Sequence, residues 1–205
     1  MTPPGTFDRV YAAIKRRLSE GVYRPGRRLE PAALSDELNA SVTPVRDALH
    51  RLTGERLVEA PRHEGFRVPM MTEAMLRHLY AWHLDLLLLA VMKRRPEAAL
   101  ADQPAMDQPP GGSPAERRSA LFAALAQWSD NPEHVEALCA VAERLAPIER
   151  IEEMFIGRTQ AENEAAEILR AIHGGDRKAL RRSLSRYHRR RQRVVPELVA
   201  LLHEK

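Results

Sequence analysis

The sequence predicts a mainly α-helical protein built from two domains. Its 205 residues are enough for two small cores. Aromatic side chains make up only 5% of the chain, whereas alanine, leucine, arginine and glutamate are abundant, and this balance favours helices over sheets. Apolar residues also recur at helical spacing through most of the sequence. One short segment near the end of the first domain departs from that spacing.

Three helices are predicted at the start of the chain. The first covers about 7–20, and a Pro-Gly turn at 25–26 follows it. The second covers about 31–39 and begins at a proline, which suits the first turn of a helix. The third covers about 43–54, after a short turn. Two helices connected in this way form a helix-turn-helix.

The segment with a different pattern predicts a β-hairpin. The stretches 57–60 and 65–69 flank the polar loop 61–64 and read as two strands. A hairpin in this place is a wing, so the first domain, residues 1–71, is predicted to be a winged helix-turn-helix. The second domain, residues 72–205, is predicted to be an all-helical bundle.

The second domain is predicted to contain five helices and a mobile loop. The helices are placed at about 72–95, 115–128, 132–146, 147–173 and 176–203. The Pro- and Gly-rich segment near 96–114 predicts the loop. The last helix is strongly basic between Arg177 and Arg193, which invites a DNA-binding interpretation. We favour instead a solvated helix face whose arginines pair with acidic neighbours such as Glu149–Glu153.

The start of the third predicted helix has the chemistry of a DNA-reading element. Ser41 and Thr43 can donate to phosphates beside the free N–H groups of a helix N-terminus. Arg46, one turn later, can bind the O6 and N7 atoms of a guanine. Taken singly, these residues could equally be a helix cap and surface charges. The ordered succession of turn, two helices and basic hairpin favours DNA binding.

The first 70 residues or so resemble the GntR family of transcription regulators. The resemblance rests chiefly on Pro25-Gly26, on the run Thr43-Pro44-Val45-Arg46-Asp47-Ala48-Leu49 and on Gly65-Phe66-Arg67-Val68. It implies a homodimer that binds a palindromic operator, mostly as a repressor, with the recognition helix and the wing near the DNA. The predicted DNA-binding residues are Ser41, Thr43, Pro44, Arg46, Arg51, Arg62, His63, Gly65 and Arg67.

Three positions depart from the family pattern. Val42 stands where the family usually has an arginine, Arg56 replaces a common glycine, and Ala32 takes the place of an arginine in the second helix. Each lost arginine removes a phosphate or base contact. The operator preference of relatives is therefore not expected to transfer to this chain.

The second domain resembles the FadR-type branch of the family, whose helical effector domain is called FCD. The usual metal ligands of that branch fall on Ser119, Ala123, Ala165 and Tyr187, none of which can act as such a ligand, so no metal and no cofactor are predicted. Its effector pocket corresponds to Tyr80, His83 and Tyr187. A small organic acid is the effector class expected there.

Other classes of protein are disfavoured. No nucleophile, base and oxyanion groups occur at catalytic spacing, so the chain is not predicted to be an enzyme. A lone cysteine, Cys139, excludes an internal disulfide, and neither a signal peptide nor a membrane span is expected, which predicts a cytoplasmic protein. Two alternatives stay open: a helical protein-interaction module, and a ligand-independent regulator whose effector pocket has decayed.

Overall fold

The computed structural model describes residues 5–93 and 114–203, without the side chains at 114, 115, 153, 154 and 158. The loop predicted near 96–114 lies outside the described residues except for its last position. The chain forms two compact units. One comprises Met1–Met71 with Leu202–Lys205, and the other comprises Thr72–Leu201.

The described part of the chain is mainly helical with one small sheet, which confirms the predicted fold class at that level. Its helices are α1 (Thr6–Ser19), α2 (Pro31–Leu38), α3 (Val42–Gly54), α4 (Glu73–Lys93), α5 (Pro114–Ala126), α6 (Pro132–Ile156), α7 (Arg158–His173), α8 (Arg177–Arg193) and α9 (Val195–His203). Its strands are β1 (Arg28–Leu29) and β2 (Phe66–Arg67).

The core of the first unit is built from the apolar faces of α1, α2 and α3. Its buried side chains include Val10, Ile14, Leu34, Val45, Ala48, Leu49 and Leu52. Helix α2 ends at Asn39, whose left-handed backbone (φ 48°) turns the chain toward α3. Arg9 donates from α1 to the carbonyls of Leu38 (2.8 Å) and Asn39 (3.1 Å). These bonds satisfy helix-end carbonyls and fix the turn between α2 and α3.

The predicted hairpin is only partly correct. Strand β2 lies within the predicted second arm, but its ladder partner is β1, with Arg28 opposite Arg67 and Leu29 opposite Phe66. The predicted first arm contributes a single bridge, in which Glu59 and Arg67 exchange backbone hydrogen bonds of 2.8 and 2.9 Å. A two-residue strand such as β1 is too short to show an alternating pattern, so it was missed.

Two helix boundaries in the second unit differ from the prediction. Pro147 was expected to start a helix, yet α6 runs through it to Ile156 and ends before Gly157, which has φ +77°. The single helix expected over 176–203 divides after Arg193.

Pro196 explains the second of these differences. It has no N–H for the carbonyl of Gln192, and Arg77 Nη1 donates to that carbonyl instead, at 2.6 Å. Gln192 Nε2 in turn donates to the Arg77 carbonyl at 3.1 Å. The exchange joins α4 to the end of α8.

Helix α4 is a long, apolar helix of the second unit. Its 21 residues are long and apolar enough to cross a membrane by length and composition. The same features suit the central helix of a packed bundle, and α4 buries Leu76, Leu79, Tyr80, His83 and Leu87 against its neighbours. Thr72 caps its start by accepting a hydrogen bond from the Met75 N–H at 3.2 Å.

Candidate nucleic-acid interface

The N-terminus of α3 is open to solvent. Ser41 occupies the cap position with extended backbone, but its hydroxyl makes no capping hydrogen bond. Ser41, Val42 and Thr43 are all exposed. The first N–H groups of the helix have no acceptor within it, and Pro44 carries no N–H at all. A polar hydroxyl pair and unsatisfied helix donors thus converge where the helix dipole favours an anion.

The predicted arginines of this interface fall into two groups. Arg46 and Arg62 are exposed, and neither has an ion pair with any residue in the described ranges. Arg51 pairs with Glu55 at 3.3 Å and lies over the Tyr11 ring. Arg46 and Arg62 are therefore the cations most available to phosphate or base.

Arg67 belongs to the paired group. Its Nε lies 3.1 Å from a Glu59 carboxylate oxygen, and its Nη1 lies 3.2 Å from a Glu64 oxygen. These contacts hold the two sides of the predicted wing loop together. A phosphate approaching Arg67 has to share the guanidinium with both carboxylates.

The loop tip depends on two residues with positive φ. Gly65 has φ +75° and open space around its missing Cβ, so its backbone conformation and not crowding requires glycine. His63, exposed beside Arg62, has φ 63°.

His50 is a residue that the sequence reasoning missed. It lies on the exposed side of α3, and its ring packs edge to face on Phe66 of β2, with centroids 4.9 Å apart. This contact joins α3 to the strand beside the loop tip. Its signal in the sequence was its place one turn after Arg46, at the spacing of one helix face.

A hydrogen-bonded cluster anchors the far end of α3. The Tyr11 hydroxyl donates to Glu55 at 2.6 Å, and Lys15 Nζ donates to the other Glu55 oxygen at 2.9 Å. Both donors come from α1. Because α3 is held at its C-terminal end and along its apolar face, its exposed N-terminus is presented on a rigid support.

Comparison with known proteins bears directly on this unit. Residues 6–68 match the family described as bacterial regulatory proteins, gntR family. This segment is therefore similar to the domain that defines that family. The Escherichia coli K12 regulator McbR is 35% identical over 78 residues, 38% of this chain and 35% of McbR. The E. coli K12 repressor GlaR is 31% identical over 70 residues, 34% of this chain and 32% of GlaR. The matched stretch thus spans about a third of each curated relative.

Solved structures extend the similarity of fold beyond residues 6–68. E. coli McbR/YncC superposes with a TM-score of 0.66 at 20% identity, covering 95% of this chain and 98% of that one. A protein from Rhodococcus sp. RHA1, described as a GntR regulator, gives a TM-score of 0.73 at 21% identity, covering 93% and 97%. These identities support a shared fold and nothing finer.

The second unit has a buried polar centre that contains all three residues predicted to bind an effector. Tyr80, His83 and Tyr187 are at most 3% exposed. The Tyr80 hydroxyl donates to Glu152. Burial, followed by the negative charge of Glu152, raises the pKa of this hydroxyl well above its usual range.

His83 lies against His188, the histidine one position beyond an expected metal-ligand site. His188 Nδ1 is 2.8 Å from the carbonyl of Leu184, which can only accept, so this nitrogen carries the proton. His188 Nε2 then accepts from His83 Nδ1 at 3.2 Å. Burial lowers the pKa of His83 to about 3, with the His188 charge adding to the effect, and burial lowers that of His188 to about 4. Both rings are neutral near pH 7.

This chain of tautomers leaves one nitrogen with a lone pair. His83 Nε2 is buried and has no hydrogen-bond partner among the residues that the structure describes. It can accept a hydrogen bond but cannot donate one. Among the described residues, no group of three or more His, Cys, Asp and Glu side chains is arranged to hold a metal ion.

Arg191 is the cation of the buried centre. It is completely buried, and it contacts Glu152 at 3.1 Å, Glu164 at 2.6 Å and the face of the Tyr187 ring, with its Cζ 3.5 Å from the centroid. These partners keep its pKa raised although burial opposes the charge.

The predicted pairing of the basic helix with Glu149–Glu153 is correct for Glu152, which binds Arg191, but this pair is buried and does not lie on a solvated face. Glu149 is 3% exposed and accepts from Ser119 at 3.0 Å, and Glu152 is 1% exposed and binds Tyr80 and the buried Arg191. Helix periodicity could not show this, because α6 turns these acids inward.

The buried histidines predict acid destabilisation of the second unit. Below the usual histidine pKa of 6.5, His83 and His188 are protonated in the unfolded chain but stay neutral in the folded chain. Each histidine therefore removes about 1.4 kcal/mol of stability per pH unit as the pH falls. Glu149 acts in the opposite direction, because burial and then Glu152 raise its pKa to about 7, and the folded state holds a proton that the unfolded state lacks between pH 7 and 4.5.

The Glu149→Gln variant separates the two effects. We expect its melting temperature to fall more steeply between pH 6.5 and 5 than that of the wild type, because the opposing carboxyl is gone. The measurement is tryptophan fluorescence, since both tryptophans, Trp82 and Trp128, lie in the second unit. Equal acid slopes in the two proteins would contradict the assignment.

Proposed function

We propose that this chain is a sequence-specific DNA-binding transcription regulator that acts in the cytoplasm. The observation that carries the proposal is the open N-terminus of α3, within the segment that is similar to a gntR-family domain. There the Ser41 hydroxyl makes no capping hydrogen bond, and Arg46 has no ion pair among the described residues. The first unit is the winged helix-turn-helix that reads DNA. The second unit is the helical domain for dimerisation and effector binding, of the FCD type. The likeness to the repressor GlaR supports a repressing role.

Within the proposed interface, the residues divide by task. Arg46 reads a base edge in the major groove, while Ser41, Thr43 and the first N–H groups of α3 bind phosphate. Arg62 and His63, at the loop tip, contact the adjacent phosphate backbone of the DNA. The remaining members of the set position these groups: Pro44, Arg51, Gly65 and Arg67.

The proposal is tested by titrating the full chain with the intergenic DNA beside its own gene. A scrambled duplex of the same length and composition is the matched control, and both are measured by fluorescence anisotropy at two salt concentrations. We expect the intergenic fragment to bind at least a thousandfold tighter than the scrambled one. Equal affinities for the two duplexes would refute a sequence-specific regulator and favour the protein-interaction alternative.

A homodimer is proposed because α4 carries an exposed apolar face. Trp82 is 51% exposed, Leu89 39% and Met92 60%, and all three lie on one side of the helix. Antiparallel packing of two copies about an axis between positions 81 and 82 sets His78 of one helix opposite Asp85 of the other. The face therefore offers both apolar area and a complementary pair to a second copy.

The Leu89→Glu variant tests this dimer. A charge within an apolar interface lacks a partner, so we expect the dissociation constant of the dimer to rise at least a hundredfold, by about 3 kcal/mol or more. Sedimentation equilibrium should then give the 23.2 kDa chain mass where the wild type gives twice that value. Ala140→Glu, on an exposed position of α6, is the matched control. A dimeric Leu89→Glu protein would place the interface elsewhere.

The effector site is proposed at the buried centre beside His83, Tyr80 and Tyr187. His83 Nε2 is a neutral acceptor, so the complementary ligand group is a donor, such as a hydroxyl or an amide. At this nitrogen we therefore propose an uncharged polar ligand in place of the organic acid that was expected from the sequence. A thermal-shift series of matched small alcohols, amides and carboxylates tests the choice. If no compound raises the melting temperature, the regulator is ligand-independent. In that case the ion pairs within the buried centre fill it without a ligand.

A further inference from the structure

The solvent-facing side of α8 concentrates positive charge in the second unit. Helix α8 contains nine arginine and lysine side chains and no acidic one, in a chain whose total formal charge is only +4. The rest of the chain is therefore net acidic. Such segregation of charge is the electrostatic footprint of a polyanion-binding surface.

Four of these cations form one exposed face without ion pairs. Lys178, Arg181, Arg182 and Arg189 are exposed, and none of them has an ion pair with another residue of the described segments. Their spacing of three, four and seven residues puts them on one side of the helix. We call these four residues the α8 basic face. They line one continuous open depression along the helix surface.

The other side of α8 shows that this charge is not required for packing. Leu180, Leu184 and Tyr187 fill the core, and Arg191 is neutralised by buried glutamates. Two further arginines have acidic partners, Arg186 with Glu167 and Arg190 with Glu164. The helix thus pairs Arg186, Arg190 and Arg191 with acids, whereas the basic face has no acidic partner among the described residues, at a cost in self-repulsion.

We propose that the α8 basic face binds the phosphate backbone of duplex DNA, independently of sequence, as a second DNA contact outside the gntR-family domain. From residue 178 to residue 189 the face extends about 17 Å along the helix, which matches roughly five phosphates of one strand at their 3.4 Å axial spacing. Arginine and lysine are the side chains that bind such phosphates. The proposal goes beyond the reading of an operator and does not depend on Arg46.

The test compares two doubly substituted full-length proteins. Arg181→Gln/Arg189→Gln removes two charges from the basic face, and Arg150→Gln/Arg170→Gln removes two exposed charges elsewhere in the same unit. Affinity for a random-sequence duplex is measured from 0.05 to 0.3 M salt. For the basic-face protein we expect the negative slope of log affinity against log salt to become shallower by about 1.8. We also expect its affinity at 0.1 M salt to fall at least tenfold. The control protein should keep the wild-type slope.

Two outcomes would overturn this inference. One is an unchanged slope in the basic-face protein, or an equal change in both proteins. The other is loss of binding to anionic lipid vesicles with DNA binding intact, which would assign the face to a membrane surface. Repeating the titration in an Arg46→Ala background keeps this test separate from the operator proposal. The Arg181→Gln/Arg189→Gln substitution should lower specific and non-specific affinity by the same factor, whereas Arg46→Ala should lower only the specific affinity.

Discussion

Arg46→Ala should reduce affinity for the operator by roughly 5- to 150-fold, which corresponds to about 1–3 kcal/mol. Arg46 is exposed one turn from the open end of α3 and has no ion pair among the described residues. Its guanidinium is therefore free for bidentate binding of a guanine edge. Because the side chain makes no contact in the core, the melting temperature should stay within about 2 °C of the wild-type value.

The control for this experiment is Arg16→Ala. Arg16 is an exposed arginine on α1, so the change in charge and side-chain size is the same, and its operator affinity should fall less than threefold. The discriminating quantity is the ratio of operator to random-duplex affinity. It should drop for Arg46→Ala and hold for Arg16→Ala. If the ratio is equal in both variants, Arg46 binds phosphate and does not read a base.

Arg191→Met should destabilise the second unit by about 3–5 kcal/mol and lower its melting temperature by about 10 °C. Methionine keeps much of the side-chain volume but leaves Glu152 and Glu164 buried with one cationic partner fewer. Their desolvation is then uncompensated. Thermal unfolding followed by tryptophan fluorescence measures the loss in this unit alone.

A neighbouring arginine and a second substitution make this prediction specific. Arg189→Met alters an exposed arginine on the same helix and should shift the melting temperature by less than about 2 °C. Adding Glu152→Gln to Arg191→Met should recover part of the lost stability, because one buried charge is removed. A melting temperature of Arg191→Met equal to that of the wild type would show that the buried ion pairs contribute nothing.

The fold class was accessible from the sequence because helical periodicity is a local signal. The apolar spacing of α1, α2 and α3 identified the core of the first unit, and the Pro-Gly turn and the Thr43–Leu49 run located α3. The same reasoning failed where the structure depends on distant partners. Strand β1 has only two residues, and Pro147 stays inside α6 although a proline usually ends a helix.

The chemistry of the second unit was the least predictable part. Tyr80, His83 and Tyr187 were expected together, and all three are buried in one polar centre. The burial of Arg191 within a run of surface arginines was not predictable, because periodicity cannot distinguish a neutralised arginine from a solvated one. Its partners, Glu152 and Glu164, come from two other helices.

The most direct test of the central claim is a hydroxyl-radical footprint of the full chain on the intergenic DNA beside its gene. If two copies read DNA through α3, the footprint should show two protected half-sites related by a two-fold axis and about one helical turn apart. At a protein concentration near the wild-type dissociation constant, Arg46→Ala should strongly reduce that protection. Uniform or absent protection by the wild-type protein would contradict the assignment of α3 as a DNA-reading helix.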